Sequence, residues 1–311
     1  MSTTLGAPVR LNRTAGGQAS LTRRAGPAYA FLLPGFVVFT AVMVYPTVQA
    51  FLMSLQKWSP NPRLPNQWVG FANYLRAIHD PVVGRALVNA AAYMLVTVVG
   101  QIVLGLVCAV ALNRSLRGRT AFRVMIYVPV ITSWVVVSIL FRNLFQPTGS
   151  INWFISLVGA EPVNWFNSRW TAMAVIALLG VWKGVGWAML IFLAALQAVP
   201  PELEEAAEVD GAGALARFWH ISLPAIRRTT FFVMIMLVIG AFNVFISVSL
   251  ITNGGPANLT QVPLIYLYQQ AFNFLDFGYG SAIAFLLTAI IFGLSVVQFW
   301  YGERSSEGAA A

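Results

Sequence analysis

Pro200-Pro201-Glu202-Leu203-Glu204-Glu205-Ala206-Ala207-Glu208-Val209-Asp210-Gly211-Ala212-Gly213 is the stretch that organises this chain, and it continues through Phe218 and Ile221 to Leu223-Pro224. Five of the ten acidic residues lie between Glu202 and Asp210. Pro201 suits the first turn of a helix, where carboxylates also complement the positive end of the helix dipole. Asp210-Gly211 then bends the chain, and Leu215, Phe218 and Trp219 supply apolar contacts after it. The pattern predicts a short helix, a glycine turn and a second short helix. The small Ala206-Ala207 pair leaves room for another protein surface to approach.

On both sides of residues 200–228 the sequence is apolar. Hydrophobic residues make up 58% of the 311 positions and charged residues 9%, against about 25% charged in a soluble domain. So few charges cannot cover a soluble globule, and much of the surface must face lipid. Six segments reach the roughly 20 residues that a membrane-crossing helix needs. They are 28–53, 87–112, 121–145, 171–199, 229–252 and 279–301. The expected organisation is a cytoplasmic disordered head at 1–27, a six-helix transmembrane domain at 28–301 and a cytoplasmic tail at 302–311. Pro34, Pro46 and Pro129 should kink their helices.

The basic residues orient the chain. Arg10, Arg13, Arg23, Arg24, Arg114, Arg117, Arg119, Arg123, Arg217, Arg227, Arg228 and Arg304 fall on one side; Lys57, Arg63, Arg76, Arg85 and Arg169 fall on the other. Twelve against five favours cytoplasmic termini in a multi-pass inner-membrane protein. The clusters sit between apolar runs and form no continuous stripe, which argues against nucleic acid as a partner.

Chemistry is sparse. The single Cys108 excludes disulfides within the chain and cysteine metal clusters. There is no phosphate-binding loop of the Gly-x-x-x-x-Gly-Lys-Ser/Thr form, so the chain is not expected to hydrolyse ATP itself, and no cofactor is expected in it. His79 and His220 fall on opposite sides. The spans contain no Asp or Glu, which counts against the rival reading of an ion-coupled secondary transporter. Lys183 is the ionisable residue at bilayer depth, an expensive position. Two readings fit it. With Gly184 and Trp187 it lines a solute pathway, or it snorkels to a headgroup region beside interfacial tryptophans. Asn243, a lone Asn in a span, suits a hydrogen bond between helices.

Taken together, Glu205-Ala206-Ala207, Asp210-Gly211-Ala212 and Ile221-Ser222-Leu223-Pro224 resemble the EAA loop of ABC importer permeases. Leu33-Pro34-Gly35, Tyr45-Pro46, Val69-Gly70-Phe71-Ala72-Asn73-Tyr74, Trp182-Lys183-Gly184 and Thr252-Asn253-Gly254-Gly255-Pro256 extend the resemblance to the carbohydrate-uptake branch, the maltose and glycerol-3-phosphate type permeases. Two positions depart from the pattern: Arg228 stands where a proline often follows, and Glu204 where an aromatic is common. The resemblance implies an all-α type I importer permease that pairs with a second permease, two ATPase subunits holding ATP and magnesium, and an external solute-binding protein. It implies that Glu205, Ala206, Ala207, Asp210, Gly211, Ala212, Leu223 and Pro224 belong to the ATPase-coupling loop, and that Lys183, Gly184, Trp187 and Asn243 line the substrate pathway. No catalytic or metal-binding residue is implied.

Overall fold

The computed structural model describes residues 19–58, 66–114 and 117–307, with only the backbone described for 19–28 and 303–307. The expected head up to residue 18 and the last part of the expected tail, 308–311, lie outside the described residues. The chain divides into two units, 1–52 and 53–311.

The first unit holds α1 (Ala19–Phe39), a single π turn, Thr40–Val44, and most of α2 (Tyr45–Ser54). Helix therefore begins nine residues before the expected boundary at 28 and includes the end of the expected head. The π turn has a local cause. Pro46 has no N–H to give to the preceding turn, and the Tyr45 N–H reaches back five residues to Thr40 O. Pro34 lies within continuous helix.

The second unit opens with a two-stranded ribbon, β1 (Gln56–Lys57) antiparallel to β2 (Gln67–Trp68), followed by α3 (Ala72–His79) and α4 (Pro81–Asn113). The start of α4 is set by its first residues. The Asp80 side chain accepts the Val82 N–H at 2.7 Å, and Pro81 occupies the first helical position. This cap places the start of the helix at 81 rather than at 87, where the uninterrupted apolar run begins.

Residues 121–145, expected as one helix, are two. α5 (Arg119–Ile131) and α6 (Trp134–Leu144) meet at a 94° bend. Pro129 weakens the helix by removing a backbone donor. The turn closes when both the N–H and the hydroxyl of Thr132 bond to Pro129 O, at 3.3 and 2.6 Å. The kink expected at Pro129 is thus a full break three residues later.

After α7 (Ser150–Leu157) comes α8 (Arg169–Gln197), the helix around which the bundle is built. Ala172, Ile176, Leu179, Ala188, Met189 and Phe192 along it are buried. Its main neighbour is α4. The approach is close: a Cβ on Gly105 would lie 2.8 Å from Ala188 Cβ and 3.1 Å from the Met189 backbone nitrogen. Small residues at such crossings let helix backbones meet in a membrane, where lipid supplies no hydrophobic drive for association. Three short helices follow, α9 (Pro201–Val209), α10 (Ala214–Arg217) and α11 (Leu223–Ala225), and then α12 (Arg227–Phe242). A break at 243–245 leads to α13 (Ile246–Ile251), which packs along α6. The chain closes with α14 (Pro263–Tyr268) and α15 (Phe277–Glu307). Tyr29–Ser54, Pro81–Asn113, Arg169–Gln197, Arg227–Ile251 and Phe277–Gly302 are long and apolar enough to cross a membrane, and the bent α5–α6 pair, counted as one span, brings the number to six. The fold is the expected all-α polytopic one.

Candidate functional site

The acidic stretch folds as its residues dictate. Pro201 opens α9, and Glu202 and Glu204 lie in its first turn. At the other end Gly211 has φ +83°. The Gly211 N–H bonds to Glu208 O at 3.0 Å and the Ala212 N–H to Ala207 O at 2.9 Å, the paired bonds of a Schellman turn around a left-handed residue. The returning segment is tied back at two points. Arg217 pairs with Glu208, and the Ser222 hydroxyl donates to Glu204 Oε1 at 2.9 Å. Glu204, the departure from the family pattern, therefore anchors the hairpin within the chain. Glu205, Ala206, Asp210 and Gly211 are exposed, while Ala207 and Ala212 are half-buried. Leu203, Leu215 and Trp219 are exposed and Val209 is 89% exposed. Phe218 is half-buried and stacks edge-on against Trp219 at 5.6 Å. Leu223 and Pro224 lie beyond the hairpin, beside an apolar groove with Phe231 and Met234.

A cavity of about 540 Å³ opens among α4, α6, α8, α12 and α13. Tyr93, Thr97 and Gln101 on α4 line it; their four-residue spacing puts them on one helix face. Opposite them Gly180 and Gly184 leave the space those side chains use. A Cβ at 180 would collide with the Tyr93 hydroxyl, and one at 184 with the Gln101 amide. Gln101 Nε2 donates to Gly180 O at 3.2 Å. Gly184 thus lines the cavity and admits Gln101. Asn243 also lines it, and its amide donates at 2.8 Å to Ile239 O of its own helix rather than to a neighbouring one. Trp187 is half-buried in a separate cluster with Ala188, Leu196 and Val233; the structure places it away from the cavity.

Lys183 neither lines the cavity nor snorkels. It is 3% exposed, and its Nζ donates to Pro129 O at 2.8 Å, Val130 O at 3.2 Å and Thr132 O at 2.6 Å, carbonyls at the end of α5. Its ammonium also lies 4.9 Å from the centroid of the Trp134 ring, within cation–π range. Sequence reading missed this because the acceptors are backbone atoms on another helix, exposed by a break that Pro129 only hints at.

A second polar cluster, also missed, lies where α3 meets α4 and near the start of α15. Asp80 accepts from the hydroxyls of Tyr266 at 2.7 Å and Tyr279 at 2.6 Å. Arg76 pairs with Asp276 at 2.7 Å and lies 3.7 Å from the centroid of the Tyr279 ring. Burial alone would raise the Asp80 pKa, but bonds from both tyrosines and from the Val82 and Val83 N–H groups outweigh it and hold the carboxyl below its usual range. Burial, aided by the bond to Asp80 and its charge, pushes Tyr266 up to about 12, so it stays a donor. A few residues into α4, buried Asn89 donates to Leu259 O at 2.9 Å and Gln261 O at 2.7 Å and accepts from Arg169 Nε at 2.8 Å. These bonds join segments 80 or more residues apart in sequence, which no local pattern reveals.

Membrane-length apolar helices, a cavity among α4, α6, α8, α12 and α13, and a helical hairpin between α8 and α12 define a transport permease. The chain belongs to the family of binding-protein-dependent transport system inner membrane components, whose pattern it matches over residues 101–306. Among its relatives are the arabinooligosaccharides transport system permease protein AraP of Halalkalibacterium halodurans, 36% identical over 90% of this chain and 89% of that protein, and the trehalose/maltose transport system permease protein MalF of Thermococcus litoralis, 31% identical over 90% and 95%. A bacterial ABC transporter involved in the import of the acidic polysaccharide alginate contains a chain of the same fold, with TM-score 0.81 and 21% identity over 92% of this chain and 98% of that one.

Proposed function

We propose that this permease carries a sugar, oligosaccharide or glycerol-phosphate-type solute into the cytoplasm, that it pairs with a second permease, and that ATP is hydrolysed with magnesium on two partner ATPase subunits. The observation that carries the reading is the 201–222 hairpin. It is braced internally by Glu204–Ser222 and Glu208–Arg217, yet it presents Leu203, Val209, Leu215 and Trp219 to the outside. A solvated connector has no reason to hold apolar side chains outward on a braced frame; a docking surface does. ATP binding would draw the ATPases together, move the hairpin, and through α12 reopen the bundle toward a docked solute-binding protein. The cavity suits the solute class. Its volume is in the range of small-molecule sites, and it combines amide and hydroxyl groups of Gln101, Asn243 and Tyr93 with the ring of Trp134.

The orientation belongs to the same proposal: termini and hairpin cytoplasmic, the Asp80 cluster external. A cysteine at exposed Glu161, with Cys108 replaced, should label from outside intact cells; labelling only after permeabilisation overturns that orientation. The function itself is tested by co-purifying the chain with its partner subunits and measuring uptake of a panel of sugars into proteoliposomes. Uptake should require ATP and a solute-binding protein, and Glu205→Lys should abolish ATPase association. Uptake driven by a proton or sodium gradient without ATP would sink the importer reading.

A further inference from the structure

We propose that the break between α5 and α6 is a monovalent-cation site occupied by the chain's own Lys183 ammonium, and that Lys183 is in consequence a positioning residue that fixes Trp134 at the cavity wall. An ammonium has three N–H donors and no acceptor, and three carbonyls, those of Pro129, Val130 and Thr132, lie 2.6–3.2 Å from Nζ. The carbonyl ends of broken membrane helices are the groups with which transporters coordinate bound cations. They also form the negative end of the α5 dipole, which favours positive charge. No carboxylate competes for the ammonium: among the described residues none of the six spans contains Asp or Glu. The charge is therefore balanced by carbonyl dipoles and by the face of Trp134.

The geometry explains why a lysine can stand at this depth. α8 approaches α5 closely through Gly186, where a Cβ would meet Ile126 O, and a Cβ there would lie 3.0 Å from Tyr127 Cα. That contact brings the side chain of Lys183, one turn earlier on α8, within reach of the break. The break in turn opens α6, whose first residue is Trp134. Because Trp134 lines the cavity while Lys183 does not, the lysine acts on the solute through the ring. Removing the ammonium leaves three carbonyls without this donor and leaves the 94° bend without its outside support.

The transport readout rests on the importer reading, so a binding readout accompanies it. In the complete complex, Lys183→Ala should assemble but transport about ten-fold more slowly or worse, as expected when buried carbonyls lose a charged hydrogen-bond donor. n-Propylammonium, whose three carbons and nitrogen replace the deleted atoms, should restore at least half of the lost rate; tetramethylammonium, with no N–H, should not. It should also raise the apparent melting midpoint of the purified Lys183→Ala protein and leave wild type unmoved, whether or not transport is observed. Full transport without amine, or an assembled variant that propylammonium neither rescues nor stabilises, overturns the proposal. If Lys183→Ala does not assemble, Trp134→Leu decides with Lys183 intact. A changed ranking of solutes is expected, and an unchanged ranking removes the link to the cavity. Absence of ATP-dependent uptake by wild type would instead count against the importer reading, and the melting shift would still judge the cation site.

Discussion

Gly211 allows the hairpin to be tested in graded steps. Its φ of +83° lies in the left-handed region, and a Cβ added there would meet nothing within 4 Å. Within this chain the cost of a side chain is thus backbone strain alone. For an ordinary L residue that cost is about 1–2 kcal/mol, which lowers the population of the observed turn by about 5- to 30-fold. Asn tolerates this conformation best, Ala less well, and β-branched Val worst. If the turn conformation is what matters, transport and ATPase association should fall in the order Gly211→Asn, Gly211→Ala, Gly211→Val, with Asn near wild type. If a partner surface lies against Gly211, side-chain volume decides instead, and Asn and Val should be about equally damaging. The assay is ATP-dependent uptake in proteoliposomes beside the amount of ATPase retained on the purified complex. Full activity of Gly211→Val would refute both forms of the reasoning, because the Schellman bonds of Gly211 and Ala212 could then be exchanged for another turn without consequence.

Two further outcomes follow from packing and charge. Asp80→Asn should lower the melting midpoint of the complex at neutral pH. Because the folded-state pKa of Asp80 is depressed, its contribution is full above the ordinary carboxylate range and is lost as pH falls through the lowered value; the gap between variant and wild type should therefore begin to narrow below about pH 4 and close once pH is below the lowered value. A gap that persists there would assign the effect to lost hydrogen-bond geometry rather than to charge. Gly105→Ala places a Cβ 2.8 Å from Ala188 Cβ and 3.1 Å from a backbone nitrogen, neighbours that cannot rotate away, and should cost about 1–3 kcal/mol by overpacking. An unchanged melting midpoint would show that α4 and α8 slide past each other with little resistance.

The contrast between Gly211 and Lys183 shows which parts of this protein were readable in sequence. The hairpin was legible because its determinants are local: proline at the first helical position, carboxylates in the first turn, glycine just past the last. The spans were legible for a similar reason, since about 20 consecutive apolar residues state their own environment. Helix ends were less so. Asp80 and Pro81 extended α4 back by six residues through one side-chain cap, and the π turn before Pro46 allowed helix to continue. The cavity was legible only in part. Gly184 and Asn243 were named through the family resemblance, but the Tyr93, Thr97, Gln101 face on α4 gained meaning only when Gly180 and Gly184 were set against it.

What the amino-acid order determined by itself is the all-α membrane class and the shape of the hairpin, because helix propensity, capping and transfer to lipid act over neighbouring residues. What only the tertiary structure decided is where the polar groups of the spans find partners. Lys183 looked like a pathway residue or an interfacial anchor, Trp187 like its companion, and residues 121–145 like one helix. The carbonyls of Pro129, Val130 and Thr132 are more than 50 residues away from Lys183, and a backbone acceptor leaves no mark in a sequence until a helix breaks and another helix comes within hydrogen-bonding distance of the break.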